Sequence, residues 1–111
     1  LNNDNKTVLS FGVMGGQYQP VGQVHVFNNI FDFNMTPQEA ISYPRAFHFN
    51  NIDKLEREIS EDIKSKLETI GHKVEFTNDP HGGGQAIQID RKKGKLIGGS
   101  DPRKDGYASG Y

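Results

Sequence analysis

The sequence predicts an α/β (α+β) chain in which strands and helices alternate early and antiparallel strands close the fold. Three observations carry this. A β-rich run over residues 7–13 stops at a glycine pair, Gly15-Gly16, and gives way to an apolar helical period. Two later segments open with helix N-terminal signals, at Thr36 and at Ser60. Two alternating runs, residues 85–90 and 95–99, flank a short turn that contains Gly94. That order favours a mixed or antiparallel sheet over a doubly wound parallel one.

Taken in order, residues 7–13 alternate little and are bounded by glycine, which predicts a largely buried strand. Pro20 suits the first turn of a helix, where its missing N–H costs nothing. Val21, Val24, Phe27 or Asn28, and Phe31, with Ile30 beside them, predict one apolar stripe running to about Phe33. Thr36-Pro37-Gln38-Glu39 supplies a cap, a proline at the first helical position and a glutamate able to answer the cap; Pro44 ends that short helix. Residues 46–49 predict a short strand. Residues 53–59 fit a helix through Leu55 and Ile59, or a strand face through Leu55, Arg57 and Ile59. Ser60, followed by Glu61 and Asp62, predicts a helix to Ile70 ended by Gly71, with Ile63, Leu67 and Ile70 buried. Residues 72–77 alternate, so Val74 and Phe76 face inward. Gly82-Gly83-Gly84 predicts a flexible turn between strands, and Arg91-Lys92-Lys93-Gly94 a solvated hairpin turn.

Composition limits the function classes. At 111 residues the chain is at most one domain, and apolar residues make up only 33% of it. That low share, with 13 glycines, fits a piece whose apolar faces are completed by another segment. Thirteen basic against 14 acidic residues give no electrostatic reason to expect nucleic acid or an anionic membrane as partner. Without cysteine there is no disulfide, thiolate nucleophile or cysteine metal site. No apolar run approaches the ~20 residues of a membrane span.

Few constellations suggest chemistry. His25, His48, His72 and His81 fall on different elements at no ligand spacing, so neither a metal nor a cofactor is expected. His48, between two phenylalanines, suits packing or hydrogen bonding better than base catalysis. Asp101 and Asp105 match no calcium loop. No serine lies in a Gly-x-Ser-x-Gly context. Gly15-Gly16 is the exception. It ends a strand and precedes a helix, so its N–H groups either simply turn the chain or converge on an anion or developing oxyanion. A nucleophile is missing.

An ordered series of motifs then points to a family. It runs through Phe11-Gly12-Val13-Met14-Gly15-Gly16, Gln19-Pro20-x-Gly22, Asn28-Asn29 to Asp32-Phe33, and Gln38-Glu39-Ala40 with Pro44-Arg45. It continues through Gly71-His72-Lys73-Val74, Gln85-Ala86-Ile87, Ser100-Asp101-Pro102-Arg103, and Asp105-Gly106 with Ala108-x-Gly110-Tyr111. Together these resemble the C-terminal part of the small subunit of gamma-glutamyltranspeptidase and its bacterial relatives, from about Val8 to Tyr111. The resemblance implies part of an αββα sandwich of the N-terminal-nucleophile hydrolase kind, made from a precursor that cuts itself. It implies attack by a threonine, absent from this chain, on the gamma-glutamyl amide of glutathione or a similar donor. The acyl group then passes to water, an amino acid or a dipeptide. It implies Gly15 and Gly16 as the oxyanion hole and a companion chain or chains from the same precursor, the remainder of the domain being supplied by upstream sequence or by another chain. The ending on Gly110-Tyr111 resembles a natural C-terminus. Leu1 and the internal Thr7 do not match the nucleophile. Met14 before the glycine pair and Gln17-Tyr18 after it depart from the best-studied branch, whereas Gln19, Pro20 and Gly22 resemble a common bacterial one. That leaves a gamma-glutamyl amide, a cephalosporin side chain or another acyl amide as donor. The contrasting class is a non-catalytic interaction module whose glycine pair only turns the chain.

Overall fold

The computed structural model describes residues 1 and 4–111. In chain order the elements are β1 (Leu9–Met14), a 3-10 turn (Gly16–Tyr18), α1 (Gln19–Phe31), α2 (Pro37–Ser42), β2 (Ala46–Phe49), β3 (Ile52–Glu56), α3 (Glu61–Thr69), β4 (Val74–Thr77), β5 (Gly83–Asp90) and β6 (Lys95–Ser100). They form two compact units, residues 1–42 with 82–111 and residues 43–81.

The first unit is built on an antiparallel sheet of order β1-β5-β6. In an antiparallel ladder directly opposed residues share a face. The pairs Val13–Gly84, Phe11–Ala86 and Ala86–Gly99 therefore line one side. Both helices lie there. A methyl group placed on Gly22 of α1 would meet Val13 Cγ1, and one placed on Gly99 would meet the Pro37 and Gln38 backbone of α2. Small residues at these points let helix backbone come down onto strand. The Gln38 amide then fastens α2 to β6, donating to Ser100 O (2.8 Å) and accepting from Ser100 N (3.0 Å). The start of α2 carries its predicted capping box. Glu39 N donates to Thr36 Oγ1, and Thr36 N donates to Glu39 Oε2 at 2.8 Å. The bond from Thr36 N first, and second a bond from the Thr36 hydroxyl to the same Oε2 (2.8 Å), hold the exposed Glu39 carboxyl below its usual pKa. The β5–β6 hairpin turns at Gly94, whose φ of 63° is the left-handed position expected for it.

In the second unit β3 pairs antiparallel with β2 and parallel with β4. The ambiguous residues 53–59 are thus strand as far as Glu56, ahead of a turn and the helix capped by Ser60, whose hydroxyl accepts from Ile63 N. Buried Glu56 organises the unit's ends. Its carboxylate accepts from Arg45 N (2.9 Å) and His81 N (3.1 Å), and Arg45 Nη1 donates to His81 O at 2.6 Å. Arg45 is fully buried.

The structure corrects four expectations. The first strand is not largely buried: of the six residues of β1 only Val13 is, because alternate side chains point away from the helices. The α1 face that packs is Gly22, Val26, Asn29 and Ile30, not the stripe through Val21, Val24, Phe27 and Phe31, which is exposed. Close approach at Gly22 and a hydrogen bond from Asn29 Nδ2 to Ala40 O (3.3 Å) hold the inner face, and the more apolar face is left uncovered within residues 1–111. No residue of α3 is buried, Ile63 included, and Ile70 just past its end is exposed; the neighbouring strands, of four and five residues, offer little apolar surface within residues 43–81. Gly83 and Gly84 are not a flexible turn. They open β5, paired with Met14 and Val13.

Candidate functional site

Gly15 and Gly16 lie where the sequence places them, between the end of β1 and a helical turn. Gly15 has φ 134° and ψ 32°, a conformation that only glycine adopts readily. Gly16 follows at φ 56°, and the chain enters the 3-10 turn, closed by Tyr18 N donating to Gly15 O at 3.1 Å. α1 continues directly from it. The first N–H groups of a helical segment have no partner within the segment, and the helix dipole makes that end positive. Ending a strand on such a turn aims main-chain donors away from the helix, which suits binding of negative charge.

The surroundings fix the turn. Tyr18 is 3% exposed, its ring seated against the Cα atoms of Gly22 and Gly82. Gly82, at φ 65°, lies directly behind Gly15. The start of β5 is held by Asp101, which is fully buried. Its Oδ2 accepts from Gly84 N at 2.6 Å, its own N–H donates to Gly84 O at 3.0 Å, and Arg103 N donates to its Oδ1 at 3.0 Å. Arg103 Nη1 reaches both Asp101 Oδ1 (3.2 Å) and Ile41 O (3.1 Å). The Ser100-Asp101-Pro102-Arg103 motif is therefore a clamp that ties the chain after β6 to β5 and α2.

The histidines are distributed otherwise than their spacing suggests. His48 and His72 both donate Nδ1–H to one carboxylate, Asp53, at 2.6 Å each. The bond from His48 is the chief cause of a lowered Asp53 pKa; partial burial opposes it and the His72 bond adds to it. Both carboxylate oxygens are taken by ring N–H groups. Among the described residues, no set of three or more His, Asp or Glu side chains is arranged to hold a metal ion. His81 is inward, its Nε2 donating to Lys54 O at 2.9 Å. His25 is paired within α1, its Nε2 lying 3.1 Å from Asn29 Nδ2.

Residues 1–111 match the gamma-glutamyltranspeptidase family along their whole length. The chain belongs to that family. It is 34% identical to the glutathione hydrolase-like YwrD proenzyme of Bacillus subtilis over 95% of its length, and it spans 22% of that relative. A gamma-glutamyltranspeptidase from Pseudomonas nitroreducens superposes with a TM-score of 0.87 at 23% identity, over 100% of this chain and 59% of that one. A cephalosporin acylase from Bacillus halodurans superposes with a TM-score of 0.83 at 38% identity, over 91% of this chain and 20% of that one. The α+β arrangement is accordingly part of the N-terminal-nucleophile hydrolase fold, and the family is one of enzymes.

Within this family member, sequence reasoning singled out the glycine pair but missed what packs against it. In the sequence Tyr18 stands out only as a departure beside the pair, and Gly82 only as part of a flexible glycine turn. The signal was the Gly82-Gly83-Gly84 cluster itself, since a left-handed or close-packed backbone position is the ordinary reason for glycine at a strand entrance.

Proposed function

We propose that the chain contributes the oxyanion hole to an enzyme that hydrolyses or transfers the gamma-glutamyl group of glutathione or a related gamma-glutamyl amide. The nucleophilic threonine comes from another segment of the same precursor, and residues 1–111 alone are inactive. The observation that supports this most is the Gly15 conformation, φ 134° at a strand end that feeds a helical segment. In the reaction the threonine hydroxyl, deprotonated by its own α-amine, attacks the amide carbonyl. The carbonyl oxygen becomes an oxyanion, and the Gly15 and Gly16 N–H groups donate to it. Collapse breaks the C–N bond and expels the amine, which takes the proton held by the α-amine; water or an amino-acid or dipeptide acceptor then gives its proton to that α-amine and takes the acyl group through a second such intermediate. Fixed main-chain donors need no reorganisation as the charge forms, so they stabilise the transition state more than the substrate.

Gly15→Ala is the sharper probe of the two positions. At Gly15 an added methyl carbon would lie 2.7 Å from Gly82 Cα, whereas at Gly16 it would enter open space. Losing one oxyanion donor costs about 3 kcal/mol, on the order of a hundredfold in rate. Self-cleaved Gly15→Ala enzyme should acylate from a chromogenic gamma-glutamyl anilide about a hundredfold more slowly, with donor affinity little changed. Gly16→Ala should lose less. Unchanged acylation in correctly cleaved Gly15→Ala would overturn the assignment, and a loss confined to donor binding would move the pair to the recognition pocket. The 38% identity to a cephalosporin acylase favours a second reading, an acylase acting on cephalosporin side chains. Turnover of a cephalosporin with no turnover of the anilide would select it.

A further inference from the structure

We propose that Gly82 is a positioning residue for the Gly15–Gly16 turn, setting the direction of the Gly15 N–H by backbone-to-backbone contact. The proposal rests on the oxyanion reading above and extends it to a residue that meets no substrate.

The contact runs between two glycines. A methyl carbon on Gly15 would sit 2.7 Å from Gly82 Cα and 3.3 Å from Gly82 N. One on Gly82 would sit 2.3 Å from Met14 O and 2.8 Å from Tyr18 Cδ1. Met14 O belongs to the same planar peptide as the Gly15 N–H, so pushing the oxygen turns the donor with it. No ordinary rotamer change relieves the clash, because the obstructing atom is backbone. Restoring a normal contact needs a shift of roughly 1 Å, a misplacement of the size that costs on the order of a hundredfold in rate.

Gly82 is itself held in place. The next residue, Gly83, pairs with Met14 across the β1–β5 ladder, and Gly84 exchanges two hydrogen bonds with buried Asp101. On the other side the Tyr18 ring fills the space between Gly82 and Gly22. The turn is thus set between the start of β5 and the first turn of α1.

The bland alternative is that glycine at position 82 serves only its left-handed φ of 65°. Gly94 separates the two. It has a φ of 63°, yet a methyl group there would meet nothing within 4 Å. Asparagine adds a second control, since it accepts the left-handed region but carries the same Cβ. In self-cleaved enzyme, Gly82→Ala and Gly82→Asn should both lose about a hundredfold in acylation rate with donor KM changed less than about threefold. Gly94→Ala should keep the wild-type rate. Wild-type acylation in either position-82 variant, or an equal loss in Gly94→Ala, overturns the proposal. A loss spread equally over KM and kcat overturns it too. If neither position-82 variant accumulates folded, Asp101→Asn decides, because it loosens the clamp on Gly84 without adding a Cβ at the turn. It should slow acylation by about tenfold at unchanged KM, and a wild-type rate there overturns positioning. If Gly15→Ala acylates normally, the oxyanion reading fails first; if Gly15→Ala is slow while Gly82→Ala and Gly82→Asn are normal, only the positioning role fails.

Discussion

At the scale of single residues, Asp53 shows how a modest sequence feature acquires a role from its neighbours. The carboxylate sits between His48 on β2 and His72 ahead of β4, accepting a ring N–H from each. Its pKa is lowered from 3.8, so deprotonated Asp53 is favoured by the folded state. The sign follows from linkage. A carboxyl with a depressed folded pKa contributes stability that is fully present above 3.8 and is lost as pH falls through the lower, folded value. Asp53→Asn should therefore flatten the acid limb of the stability–pH curve below that point. Hydrogen exchange at the β2–β3 and β3–β4 ladders, followed downward from about pH 5 to well below the ordinary carboxylate value, reads it out. An acid limb of the same steepness in the variant would remove Asp53 from the account.

At the scale of elements, α1 carries the clearest conflict between local preference and packing. Its more apolar stripe is the outer one; Phe27 is 47% exposed, with its ring centroid 4.6 Å from that of Phe31. The inner face is chosen by fit. Gly22 admits the Val13 side chain and the Tyr18 ring, and Asn29 finds a carbonyl on α2. This gives a test of sign. Alanine is a better helix former than glycine by about 1 kcal/mol, so propensity alone expects Gly22→Ala to stabilise. A methyl carbon there would lie 2.5 Å from Tyr18 Cε1 and 2.7 Å from Val13 Cγ1, so packing expects it to destabilise by about 1–3 kcal/mol. Urea unfolding of the cleaved enzyme decides between them: a raised midpoint would mean that α1 does not need this close approach.

At the scale of the whole molecule, among the described residues of the first unit the sheet carries that unit's helices on one face only. On the other, Ile87 (50% exposed) and Leu96 (71% exposed) lie with Tyr107 and Tyr111 around an open groove of about 900 Å³. In an αββα sandwich that face meets a second sheet, and the chain spans only 22% of the B. subtilis relative's length. Under the proposed function the missing sheet comes from the rest of the precursor. Residues 1–111 expressed alone should then aggregate or bind an apolar dye through this face and the outer stripe of α1. Supplying the remaining precursor should restore solubility and amidase activity together. A monodisperse, cooperatively unfolding monomer of the isolated chain would count against this and for a self-contained interaction module.

What the sequence by itself determined is local. The capping box at Thr36, the Ser60 cap, the Gly94 turn and the strand–glycine–helix order of residues 9–31 all rest on interactions within a few residues, and all are present in the structure. The place of Gly15–Gly16 between strand and helix already made the pair a candidate, and the family resemblance, whose motifs also lie in short stretches of chain, chose the oxyanion reading over a plain turn. Only the tertiary structure decided which face of α1 is buried, that the strands divide between two sheets, that His48 and His72 share Asp53, and that Gly82 backs onto Gly15. Hydrophobic periodicity weighs how apolar a face is, whereas burial is decided by how closely two backbones can approach. That distance depends on residues far apart in the chain, and at this site it is set by glycines whose contribution is the absence of a side chain.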